Sequence, residues 1–209
     1  QHELRLDATP PAEWGQRFSL RARLRQPLLD LVPETAGASG RPWQNWSGEL
    51  YAEFPRVDVQ RLRRHVDLSE WNIEVFGWQG RVQAWADVQR GEVGAVTADL
   101  DLQDLRTRLG TDLPELDLVS LQGRLGAHWN ADGFGFSSDD LRFRTRDGHD
   151  WPGGVLRVGH AVPRGGRPAS AVLRAERIDL GALGAVAASL PLGRPGHGWL
   201  DSLQPEGQV

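Results

Sequence analysis

The chain has 209 residues, a formal net charge of −4 and a hydrophobic share of 39%, with Gly 25 and Pro 13. That length supports one domain or a little more, and the glycine and proline content favours many short strands over a helix bundle. The mild acidity excludes a nucleic-acid backbone as an expected partner, Cys 0 excludes disulfides and thiolate metal sites, and no apolar run approaches the roughly eighteen residues of a membrane span.

In chain order, Leu4 and Leu6, then Phe18, Leu20, Ala22 and Leu24 alternating with arginines, predict two strands joined through Pro10-Pro11. Residues 26–42 hold three prolines and two glycines in a weakly periodic run and read as a long loop. Leu50, Ala52 and Phe54 alternate with Glu49, Tyr51 and Glu53, a strand expected to end at Pro55. Asp58 can then cap a short helix carrying Val59, Leu62 and Val66, and Asp179 can cap a second one carrying Leu183, Val186 and Leu190.

Between these helices the two-residue period dominates. Val82, Ala84, Ala86 and Val88 form one apolar side, Val96, Ala98, Leu100 and Leu102 the next, and Leu121, Leu125, Ala127 and Trp129 a third. Further strands are expected over 134–146, 155–162 and 170–178. Turn signals at Gln89-Arg90-Gly91, around Pro114, at 130–133, at Asp147-Gly148 and over 163–168 separate consecutive strands by short connections. Such spacing predicts an antiparallel meander with two short helices, a mainly β fold, and speaks against an α/β enzyme fold. Strands with one dry face need a cover for that face alone.

Candidate chemistry is thin. Asp147-Gly148-His149-Asp150 gathers carboxylates and an imidazole, but Asp-Gly is first of all a turn, and the six histidines show no metal-ligand spacing. Asp139-Asp140 point to opposite faces of a strand, and Asp99 and Asp101 lie on its wet face, so neither pair suits acid–base work. Ser39 lies in a linker without a nominated base, and the Gly-Gly pairs lack the lysine and helix of a phosphate loop. The expectation is no enzyme, no cofactor and no metal site. Trp 9 is high for this length and admits two readings, core or channel packing and sugar stacking in a carbohydrate-binding β-sandwich. By alternation Trp85 falls among polar residues, which predicts packing beneath an outer helix or a bulge.

Trp46-Ser47-Gly48-Glu49-Leu50-Tyr51-Ala52, Val57-Asp58-Val59-x-x-Leu62-Arg63-Arg64-His65-Val66, Gly80-Arg81-Val82-Gln83-Ala84-Trp85-Ala86-Asp87-Val88, Gly123-Arg124-Leu125 and Asp147-Gly148-His149-Asp150-Trp151-Pro152-Gly153-Gly154 follow one another in an order that resembles the YhdP family of AsmA-like, TamB-related bacterial envelope proteins. The likeness runs from Leu4 through Ile178, and Phe76-Gly77-Trp78 is bulkier than its pattern. The resemblance implies a curled, groove-like sheet in a periplasmic segment of an inner-membrane-anchored protein. It also implies phospholipids as cargo moved between inner and outer membranes, which the protein would reach through parts beyond this stretch, and no catalytic residues. On that basis residues 1–44 are expected to end a preceding β unit, 45–190 to form the central groove unit, and 191–209 to open a following one, the whole being an interior piece of a longer chain. The expected groove lining is Phe18, Leu20, Ala22, Leu24, Leu50, Ala52 and Phe54, continued by the three apolar sides named above.

Overall fold

The computed structural model describes residues 1–11, 16–26, 45–58, 74–163 and 168–189. Its strands are β1 (His2–Ala8), β2 (Phe18–Arg25), β3 (Ser47–Asp58), β4 (Glu74–Gln89), β5 (Glu92–Arg108), β6 (Leu116–Asn130), β7 (Gly133–Thr145), β8 (Asp150–Pro152), β9 (Leu156–Ala161) and β10 (Ser170–Ala175). One helix, α1 (Leu180–Ala187), follows them among the described residues.

All ten strands form a single sheet in the order β1-β2-β3-β4-β5-β6-β7-β9-β10, with β8 paired to the remaining stretch of β7. Every pairing is antiparallel, and the sheet is curled and open, not closed into a barrel. The meander follows from the connections. Between β4 and β5, Arg90 and Gly91 take φ of 52° and 75°, the left-handed pair that a two-residue hairpin requires. Asn130 secures the next hairpin, its side-chain oxygen accepting from the Asp132 N–H at 2.8 Å.

Several expectations shift in detail. Strand β3 does not end at Pro55 but runs on to Asp58, with a register shift between Phe54 and Val57 that accommodates a residue unable to donate to the ladder. The bulky Phe76-Gly77-Trp78 run coincides with two register shifts in the β4–β5 pairing. Strand β8 is unforeseen, since Asp150 to Pro152 reads locally as the exit of a turn; it forms because Trp151 stacks on Phe143 with ring centroids 5.8 Å apart. The first expected helix, the 27–42 part of the expected Pro/Gly loop, Trp43 and Trp71 lie outside the described residues. The second helix forms as its cap predicts: the Asp179 carboxylate accepts from the Ala182 N–H at 2.9 Å. A β-sandwich is ruled out, because the strands form one sheet.

The core is gathered at one end of the sheet. Leu102, Leu105, Leu118, Leu121, Phe143 and Trp151 pack there with Ala182 and Val186 of α1. Strict alternation would send Leu102 and Leu105 to opposite faces. Asp104, at φ 50°, sits where the β4–β5 register slips, so that both leucines are buried. Asp140, also at φ 50°, does the same for β7, where Ser138 and Phe143 are both buried five positions apart.

Candidate functional site: an unroofed apolar face

Directly paired residues of an antiparallel ladder share a face, so the register traces side-chain rows across the sheet. One row runs Leu6, Leu20, Ala52, Ala84, Ala98, Leu125, Ser138, Leu156. Its neighbour runs Leu4, Ala22, Leu50, Ala86, Val96, Ala127, Phe136, Val158. Beside the first lies a third, in which Phe18 stacks on Phe54 and Phe54 pairs with Val82, which pairs with Leu100. The remaining flank carries Leu24 opposite Gly48, Gly48 opposite Val88, and Trp129 opposite Phe134.

All the residues expected to line a groove therefore lie on one face. Most of them are half-buried, with Trp129 45% exposed. Two depart from the expectation. Leu102 and Leu121, 5% and 9% exposed, belong to the packed core, because α1, Phe143 and Trp151 fill the space above them. The expected lining also omits Leu4, Leu6, Phe136 and Val158, although each sits in a period-two run of its own. The middle of the face carries Ala52, Ala84, Ala86, Ala98 and Ala127, and α1 packs instead on β7 and β8.

The reverse face is polar and internally paired. The Arg124 guanidinium grips Asp99 with two hydrogen bonds and holds its carboxyl below the usual range. Asp7 is lowered to about 2, first by the Ser19 hydroxyl that donates to it at 2.6 Å and then by Arg5. Burial, followed by its hydrogen bond to Glu53, pushes the Tyr51 hydroxyl up. Trp85 stands on this face outside any bulge, and no helix of the described residues covers it. It lies against Tyr51 at 5.5 Å with the Arg124 guanidinium over its ring, 5.9 Å from the centroid, and remains 38% exposed.

The other candidate clusters disperse in space. Asp101 accepts from Gln122, Asp140 from Arg142 and Asp150 from Arg144, while His149 lies 3.6 Å from Asp147. Among the described residues no three His, Asp or Glu side chains converge as a metal site would require. The described tryptophans do not form a common platform either: Trp78 and Trp151 join the core, Trp85 lies on the polar face, and Trp129 stands on the opposite face.

An open antiparallel meander with one continuous apolar face agrees with the motif order in the sequence, and the chain matches the family described as YhdP protein over residues 1–209. It belongs to the YhdP family. Membership of that family makes it a bacterial envelope protein of the AsmA-like kind. No curated protein matches the chain, and no solved structure matches it. Among its described residues, no helix is long and apolar enough to cross a membrane.

Proposed function

We propose that this stretch of a YhdP-family protein shelters phospholipid acyl chains on its apolar face, as one section of a periplasmic path between inner and outer membranes. The observation that carries this reading is the set of mostly half-buried apolar rows running from β1 to β9, of which the helix among the described residues covers one end. A phospholipid carries roughly thirty acyl methylenes, and exposing them would cost on the order of 20 kcal/mol at about 0.8 kcal/mol each, so transfer through water needs continuous cover. Seven steps between adjacent strands, β1 to β9, at about 4.8 Å extend that cover over roughly 34 Å.

The chemistry of the face suits sliding better than trapping. Leucine, valine and phenylalanine supply apolar contact, and the central alanines leave width for a guest chain. On this reading the protein breaks no bond and needs no cofactor. It is held at the inner membrane by a part of the protein other than the residues described.

The test is native mass spectrometry of the purified intact protein. Co-purifying phospholipid, displaced by added phospholipid but not by oligosaccharide, is the expected result. A face that carries no lipid, and on which a second copy of the chain docks instead, would end this reading.

A further inference from the structure

The two long sides of the apolar face differ chemically, and the difference assigns an orientation to the bound lipid. On one side, His2 stacks on Trp46 with ring centroids 4.7 Å apart, and across the sheet Phe134 stacks on His160 at 5.5 Å beside Trp129. The register places His2 level with Leu24 and Gly48, and Trp129 level with Phe134 and His160, so these rings form one rim at the same end of the strands. On the other side the rim formed by the described residues is Phe18 on Phe54, two rings without an N–H, and farther along it is closed by α1 and the packed core.

We infer that the rim of His2, Trp46, Trp129, Phe134 and His160 faces the glycerol and phosphate of a bound phospholipid, with the acyl chains directed toward the Phe18–Phe54 side. The inference rests on the acyl-chain reading above and adds the direction in which the lipid lies. Phosphate and ester oxygens are hydrogen-bond acceptors, and of the two open rims formed by the described residues the first offers ring N–H donors beside apolar surface. Amphipathic rings of that kind suit a boundary that is wet on one side and apolar on the other. Among the described residues the Trp46 Nε1 atom is buried without a partner, as are Ser138 Oγ and Trp151 Nε1 toward the packed end of the sheet. An unmade bond of that kind is costly, and a guest acceptor would complete it. The rim also stands open, with Trp129 45% and Phe134 52% exposed.

This stretch contains no cysteine, so Phe134→Cys and Leu20→Cys can each carry a bimane label in the intact protein once any cysteine elsewhere in it is replaced by serine. The labelled proteins are loaded with phosphatidylcholine bearing a nitroxide on the headgroup or at the end of one acyl chain. Four residues along a strand, about 13 Å, separate the two rows, so the headgroup nitroxide should quench position 134 about twofold or more over the chain-end nitroxide, with the order reversed at position 20. Equal or inverted quenching at both positions overturns the orientation and leaves the acyl-chain reading standing. Absence of quenching by either lipid at either position overturns both. As a second measurement, Trp46→Phe keeps the ring and removes the N–H. It should lower lipid retention about threefold while leaving the lipid-free protein at least as stable as before, and unchanged retention would count against the donor role of Trp46.

Discussion

At the scale of single residues, the sheet depends on positions where no side chain fits. Gly80 takes φ 137°, and a Cβ there would run into the Asp101 carbonyl oxygen on the neighbouring strand. Gly80→Ala should therefore cost about 2 kcal/mol or more in denaturant unfolding, because it adds a clash to a disfavoured conformation. Gly148→Ala, at φ 96° with open space around the added atom, should cost only about 1 kcal/mol. Asp7 sets a pH dependence. Its carboxyl is lowered from 3.8 to about 2 in the folded chain, so its contribution is full above pH 4 or so and is lost as pH falls through the window between those values. Amide exchange in β1 and β2 should accelerate in that window, and Ser19→Ala should move the Asp7 titration, followed by NMR, back toward 3.8. A Ser19→Ala protein with an unmoved Asp7 titration would show that the hydroxyl is not the main cause. Neither Gly80 nor Asp7 announces these roles in the sequence, since each depends on an atom of another strand.

At the scale of elements, the strands and α1 were readable from period and cap, while the use of each face was not. Leu118 and Leu50 are both strand leucines preceded by a carboxylate, Asp117 and Glu49. Leu118 is 3% exposed in the core beneath α1, and Leu50 stands half-exposed in the apolar row. Leu118→Ala should cost about 3 kcal/mol because it opens a cavity, and Leu50→Ala about 1 kcal/mol because solvent already reaches that side chain. Equal losses in parallel urea titrations would mean that the face is packed in solution. Trp151 shows why β8 escaped local reading: a three-residue strand has too few positions to display a period. The ring is recognisable as core only once Phe143, which follows a bulge at Asp140, is placed beneath it.

At the scale of the whole molecule, the apolar rows act together or not at all. A charge at their middle would have to be desolvated by every chain passing over it. In the intact protein, Ala127→Asp or Ala98→Asp should therefore block phospholipid transfer while leaving the circular dichroism spectrum largely unchanged; transfer at the normal rate would show that this face is not the path. The sequence by itself determined the antiparallel meander, the face to which each alternating residue belongs and the Asp179 helix cap, because strand period, tight turns and capping are local properties of the chain. Only the tertiary structure decided that Leu102 and Leu121 are sealed under α1, that Trp85 stands against Tyr51 on the other face, and that no described element packs over the alanines at the centre. Burial depends on what packs above a residue, and the elements that do so are distant in the chain: α1 lies more than fifty residues beyond Leu121.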